Sequence, residues 1–475
     1  MPFDVAMRDT VPAAVAPVER GVVDLGLGSR LVARLRASAL GLSIVVASGT
    51  ALALGLIRLG GPSLWVDEGY TAYAAQRSPE WWFDNDQYHV LYDAVARMWT
   101  SVAGTSEWAL RMPSVLGAMA ACGLLVVLAR KLFDNRIALI GGVFLATSPF
   151  VVKWSQQARG YTLLLALSLL VTLLLLRALD RGSRASWAVY GVGFSALVIW
   201  HAVAGLLLVP AHAALIAQRR DRALPHGPLA AVIICAFAIP WAAVIAMRST
   251  GAGAGMNWLT APTPTVVAHA VSDASGVAGL GLLLAIAGVW VLRRARKTDL
   301  AVLLGVWACA PFVLALLPSV VRPVFLDRYL IVAAPAFALL AAVAVTGVGR
   351  RLGVAAGLAA VVATSIGLAA WYGSADGGNW RGEDWRSAVD TVLERRSESD
   401  AIVVAPWSAQ PAATYYGARA TSVSNADSIW VLTWSETGDE LEPEDRRALG
   451  FGDHRLVERL PFGWRVTAQL WRREP

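Results

Sequence analysis

Charge is what this chain has least of. Only 16% of its 475 residues are Asp, Glu, Lys or Arg, against about 25% in an ordinary soluble domain. The deficit is gathered into long uncharged runs, which excludes a soluble globular protein and leaves a polytopic membrane protein. Cysteine is equally scarce: Cys122, Cys235 and Cys309 all fall inside apolar runs, excluding a disulfide framework and any cysteine-based metal site. There is no repeat of 20–50 residues and no low-complexity tract. Residues 1–36 are mixed in charge and lack the basic-then-apolar pattern of a cleaved signal peptide. They are expected to form a flexible cytoplasmic arm. The net charge of +7 does not point to nucleic acid, because the basic residues lie between apolar runs, as they do in cytoplasmic loops.

Runs of roughly 20 apolar residues are needed to cross about 30 Å of hydrocarbon. Such runs occupy 38–57, 113–129, 137–152, 160–176, 227–247, 274–292, 300–321, 329–349 and 352–375. The 33 uncharged residues at 185–217 are too many for one upright span at about 1.5 Å each. Arginines flank that run on both sides, so it is read as two helices turning near Trp200 and His201. About eleven spans result. The basic clusters put the N-terminus inside, and 58–112, 153–159, 248–273 and 322–328 outside. From residue 376 the chain becomes charged and carries strand-like runs at 401–405, 428–433 and 464–471, with a helical pattern at 384–396 that starts on Asp384 as N-cap. Three parts follow: the arm 1–36, a membrane domain 37–375, and a small extracytoplasmic α/β domain 376–475.

Charge on the outer side is rare enough to single out. Asp67 and Glu68 stand in SLWVDEGYTAY (residues 63–73), inside an outer loop of 55 residues rich in aromatics. That loop is long enough to hold interfacial helices. Neighbouring positions do not share a helix face, so one carboxylate entering a site turns the other away. Lys153 and Arg159 flank a short outer loop, and Arg322 and Arg328 stand at the next. These positions suit snorkelling toward lipid headgroups or an anion site. A carboxylate can take a proton from an incoming hydroxyl, while Arg and Lys hold a phosphate as it leaves. Together they suit transfer from a phosphate-linked donor anchored in the membrane. His201 and His212, in or beside apolar runs, read as packed neutral residues.

SLWVDEGYTAY resembles the outer-loop Asp-Glu motif of the integral-membrane GT-C fold glycosyltransferases, the group of the lipid A aminoarabinose transferases and protein O-mannosyltransferases. Further matches are His89-Val-Leu-Tyr92, GTSEWALRMPS at 104–114, SQQARGY at 155–161 and DRYL at 327–330. The resemblance implies inverting sugar transfer (mannose, arabinose or similar) from a polyprenyl-phosphate sugar to a cell-envelope acceptor hydroxyl. It implies Asp67 and Glu68 as the catalytic carboxylates and Lys153, Arg159 and Arg328 at the donor phosphate. His89, Tyr92, Gln157, Tyr161, Tyr329 and Trp380 would line the site. No cofactor is implied, and metal use varies within the class. Two departures stand out: Gln157 replaces a common Glu, and Val90-Leu91 replaces Pro-Pro beside His89. The Ala-, Arg-, Val- and Gly-rich composition is associated with high-GC bacteria such as actinobacteria. The expected place is the inner or plasma membrane, with the bilayer as a partner and no nucleic acid. The rival readings are a lipid-linked-sugar flippase, which the nearly charge-free span interiors oppose, and a glycan-binding scaffold. The last hundred residues hold seven of the twenty tryptophans, which suits either sugar stacking or the core of a small domain.

Overall fold

The apolar runs fold as helices because in hydrocarbon every backbone polar group has to be satisfied within its own segment. The computed structural model describes residues 26–85, 88–223, 225–248, 259–276, 278–373, 382–423, 426–435, 441 and 443–474. Its helices run in order α1 (Gly26–Leu56), α2 (Val66–Ala74), α3 (Pro79–Asn85), α4 (Val90–Ala103), α5 (Glu107–Leu132), α6 (Asn135–Ala146), α7 (Pro149–Ser155), α8 (Tyr161–Arg181), α9 (Arg184–Trp200), α10 (Ala202–Leu206), α11 (Val209–Gln218), α12 (Arg220–Ala223), α13 (Gly227–Arg248), α14 (Pro264–Ser275), α15 (Ala278–Arg294), α16 (Thr298–Ser319), α17 (Ala334–Gly347) and α18 (Arg350–Tyr372). A 3₁₀ segment, Asp327–Ala333, leads directly into α17.

Among the described residues seven helices are long and apolar enough to cross a membrane, and nine if each of two bent pairs is one span. The expected eleven counts two spans more than these nine. The difference lies at 185–217. That run does break at Trp200, but α9 and the stretch Ala202–Gln218 hold 17 residues each, or about 25 Å at helical rise. The expected arm also shrinks. Helix α1 starts at Gly26, since the Arg, Leu and Ala residues before the apolar run are good helix formers. Residues 1–25 lie outside the described residues.

Helix α5 is central and packs against α1, α6 and α8. Trp154, Trp187 and Trp307 are among the largest fully buried side chains. Elsewhere apolar side chains face outward, as Val354, Leu358, Val361 and Ile366 do on α18. In water these would be an aggregation liability; against lipid tails they are matched to their solvent. Small residues let helices approach closely. A Cβ on Gly288 of α15 would lie 2.3 Å from the carbonyl oxygen of Leu340 in α17.

The C-terminal part is a mixed sheet flanked by helices α19 (Trp385–Arg395), α20 (Gln410–Tyr415) and α21 (Pro443–Ala448). Strands β1 (Ala401–Ala405), β2 (Ser428–Trp434), β3 (His454–Phe462) and β4 (Val466–Arg473) lie in the order β1-β2-β4-β3. The β1–β2 pair is parallel and the other two are antiparallel. Asp384 caps α19, its Oδ1 accepting from the Ser387 amide at 3.1 Å. Strand β3 has no counterpart among the expected strands, because Leu456-Val457 and Glu458-Arg459 stand as adjacent pairs and break the apolar–polar alternation that marks a strand. Trp385, Trp430 and Trp471 are buried, whereas Trp407 and Trp464 are exposed, so the tryptophans divide between core and surface. Trp380 lies outside the described residues.

Gly288→Ala should lower the melting temperature of the purified protein, by about 1–3 kcal/mol of stability, because the added methyl forces α15 and α17 apart. Gly305→Ala, where a Cβ meets nothing within 4 Å, should be neutral or stabilising by up to about 1 kcal/mol. Equal melting curves for the two variants would contradict the close approach.

Candidate active site

The loop 58–112 folds into α2, α3 and α4, with α5 beginning inside it at Glu107. Ser106 caps α5 by accepting from the Ala109 amide at 3.3 Å. Asp67 and Glu68 are the second and third residues of α2, and successive helical positions are about 100° apart. Glu68 points inward and is 1% exposed. Its Oε1 accepts from Arg111 Nε at 2.8 Å and from the Ala158 amide at 2.7 Å, and its Oε2 accepts from Arg111 Nη2 at 2.7 Å. Arg111 also donates to the carbonyls of Leu59, Pro62 and Ser63. Glu68 is therefore not a second carboxylate of the cleft. It fastens α2 to α5 and to the 153–161 loop.

The chain bends by 58° between α6 and α7, where Pro149 begins α7, and that loop continues from the end of α7. Gln156 fixes the loop to the end of α1, its Nε2 donating to the Gly55 carbonyl at 3.2 Å and the Ile57 carbonyl at 2.6 Å. Ser114 donates to the Arg159 carbonyl at 2.8 Å. Tyr92 packs on Trp200, with ring centroids 6.2 Å apart. A Cβ on Gly160 would meet both rings at about 3.1 Å.

The outward-turned Asp67 borders a cleft of about 840 Å³, counting its open mouth. The lining includes Tyr88, His89, Arg159, Tyr161, His201, Trp241, Arg328 and Tyr329. Arg328 Nη1 lies 3.4 Å from Asp67 Oδ2. Arg159 Nη1 donates to the Asp67 backbone carbonyl at 3.4 Å, and its Nη2 lies 2.9 Å from His89 Nε2. A guanidinium only donates, so that His89 nitrogen is the acceptor. Arg328 lies over the Tyr161 ring at 5.9 Å. His201 packs edge-on against Tyr329, centroids 4.5 Å apart. Both arginines are more than nine-tenths buried and border the same cleft as the Asp67 carboxylate. Buried guanidiniums at a cleft are chemically suited to an anionic group.

Of the residues singled out in the sequence, Asp67, His89, Arg159, Arg328, Tyr161 and Tyr329 meet at this cleft. Lys153 does not line it; its Nζ lies 3.8 Å from Asp327 Oδ2. Gln157, in the 153–161 loop, and Tyr92, in α4, are buried and are not among the residues lining the cleft. His201, read from the sequence as a packed residue, is in the lining. The break in the uncharged 185–217 run was its signal: His201 ends α9 and its Nδ1 accepts from the Ala204 amide at 3.3 Å, starting α10. Among the described residues no group of three or more His, Cys, Asp or Glu side chains is placed to hold a metal ion.

The fold is that of the GT-C membrane glycosyltransferases. Over 90% of this chain and 97% of the other it is similar to ArnT from Cupriavidus metallidurans in the apo state, with a TM-score of 0.62 and 15% identity. The same protein bound to undecaprenyl phosphate matches over the same shares, with a TM-score of 0.59 and 15% identity. The Archaeoglobus fulgidus oligosaccharyltransferase in complex with Zn and sulfate matches at TM-score 0.53 and 14% identity, over 86% of this chain and 69% of that one. Residues 90–243 match the family model described as dolichyl-phosphate-mannose-protein mannosyltransferase. No curated protein sequence matches the chain.

Glu68→Gln should destabilise the protein by about 3–5 kcal/mol, since it leaves Arg111 as a buried uncompensated charge. Adding Arg111→Met should restore part of the loss in a double-mutant cycle read by thermal melting. Additive losses would show that the two side chains do not act as a pair.

Proposed function

We propose that this protein is a glycosyltransferase that moves a sugar from a polyprenyl-phosphate donor to an acceptor hydroxyl on the extracytoplasmic face of the membrane. The observation that carries the reading is the convergence of Asp67, Arg159 and Arg328 on one cleft at the end of the helix bundle. The fold likeness to a protein solved with undecaprenyl phosphate and the partial match to a polyprenol-type mannosyltransferase family support the donor class. The basic clusters between apolar runs support the outward orientation, and residues 37–375 then form the catalytic unit.

In this reading the acceptor oxygen attacks the anomeric carbon as the bond from that carbon to the phosphate oxygen breaks. The hydroxyl proton passes to Asp67. The electron pair leaves with the polyprenyl phosphate, whose added negative charge Arg328 and Arg159 stabilise. A single displacement needs base and leaving group on opposite sides of the sugar, which inverts its configuration. The 3.4 Å contact between Arg328 and Asp67 therefore has to open when donor binds. The donor phosphate competes for the guanidinium and frees the carboxylate. His89 orients Arg159, while His201, Tyr161 and Tyr329 supply the wall against which the sugar lies.

Purified protein in nanodiscs, given a panel of radiolabelled polyprenyl-phosphate sugars and crude envelope acceptor, should transfer at least one sugar. Asp67→Asn should lower the rate by about 10²–10⁴-fold, and Arg328→Ala by about 10²–10³-fold. Transfer that survives Asp67→Asn would remove Asp67 as the base. No transfer from any donor would count against the enzyme and favour a flippase or a scaffold.

A further inference from the structure

Helix α2, which carries Asp67, begins without a side-chain cap from its N-cap residue. The residue at its N-cap is Trp65, which offers no side-chain oxygen, where Ser, Thr, Asp or Asn is usual. The first amides of a helix have no partner within it. One is met locally: the Trp65 amide donates to Glu68 Oε2 at 3.4 Å. The next is met from 317 residues away, the Val66 amide donating to Glu383 Oε2 at 2.8 Å.

Glu383 is 1% exposed, and the C-terminal part holds it from both sides. Trp385 Nε1 donates to its Oε2 at 3.1 Å and Trp434 Nε1 to its Oε1 at 2.8 Å. These donors and the Val66 amide together fix the carboxylate. The surrounding contacts run the same way. Val66 is a member of the hydrophobic cluster of the C-terminal sheet, beside Trp385 and Trp430. A Cβ on Gly69 would lie 2.5 Å from Ala412 Cα, so α2 lies directly on α20. Tyr416 Oη accepts from the Leu64 amide at 2.8 Å, and Arg386 Nη2 donates to Glu107 Oε1 at 2.6 Å.

We propose that Glu383 is a positioning residue for Asp67, and that the C-terminal domain serves the reaction by fixing the start of the motif helix. This rests on the reading of Asp67 given above. Val66 is the residue before Asp67, so the hydrogen bond that holds the Val66 amide sets where the Asp67 side chain leaves the helix. A displacement near 1 Å at a reacting group can cost about 10²-fold in rate. In that reading donor binding depends on Arg159 and Arg328, which stand on other segments, the α7–α8 loop and the 3₁₀ segment before α17. Loss of Glu383 therefore acts on turnover and spares donor affinity.

The test uses the full-length protein in nanodiscs. Glu383→Leu removes both acceptor oxygens and should lower kcat about 10- to 100-fold, with KM for the donor within about twofold. Glu383→Gln keeps one acceptor oxygen and should recover most of that loss. Val66→Pro is the independent variant. It removes the donated N–H at the first helical position, where proline is well tolerated, and it should lower kcat as Glu383→Leu does; it also stands in if Glu383→Leu does not fold. Hydrogen–deuterium exchange over residues 64–74 gives a readout that needs no turnover, and Glu383→Leu should speed it. Wild-type kcat in Glu383→Leu, a loss confined to KM, or unchanged exchange overturns the proposal while leaving the donor chemistry standing. If the wild-type protein transfers nothing, the reading of the cleft fails, and faster exchange then leaves Glu383 only its hold on α2.

Discussion

The buried pair of Glu68 and Arg111 is the constraint on which the rest of the cleft depends. Arg111 gathers three carbonyls of the chain entering α2 and both oxygens of Glu68. Glu68 in turn takes the amide of Ala158 in the loop that carries Arg159. One ion pair thereby joins α2, α5 and the 153–161 loop. Because neighbouring helical residues point about 100° apart, turning Glu68 into the protein turns Asp67 out toward Arg328. The two adjacent carboxylates have separate roles. Asp67 faces the cleft, and Glu68 fixes the direction in which it points.

Burying that pair carries a desolvation cost that many hydrogen bonds have to offset. The arrangement makes sense if its return is geometry rather than stability. The proposed glycosyl transfer needs its base and its phosphate-binding groups held to a fraction of an ångström, and the residues proposed for those roles come from segments far apart in the chain. Asp67 belongs to α2, Arg159 to the α7–α8 loop, and Arg328 to the 3₁₀ segment before α17. Trp307 holds that last segment, its Nε1 donating to the Val332 carbonyl at 2.7 Å. Each site residue is aimed by a bond that one of its neighbours makes.

How much of this was legible in the sequence depended on whether the signal was local. Apolar runs, the break at Trp200-His201 and the cap at Asp384 are local, and all three appear in the structure. The scarcity of charge outside the membrane was enough to mark Asp67, Arg159 and Arg328. What pattern alone left open was partnership. Nothing near Lys153 says that it faces Asp327 rather than the cleft. Nothing near Trp65 says that its helix is completed by Glu383. The separate roles of Asp67 and Glu68 were foreseen only as a rule of helix faces, without saying which residue turned inward. The span count is ambiguous at 185–217, where each half holds 17 residues, the short end of what a bilayer demands.

The central claim is that Arg328 serves the donor phosphate and Asp67 the acceptor hydroxyl. Equilibrium binding of undecaprenyl phosphate to the wild type, Asp67→Asn and Arg328→Ala separates the two roles without any turnover. Arg328→Ala is expected to bind markedly more weakly, while Asp67→Asn binds at least as tightly as wild type, since removing the carboxylate frees the guanidinium. Equal loss of binding in both variants would contradict the claim.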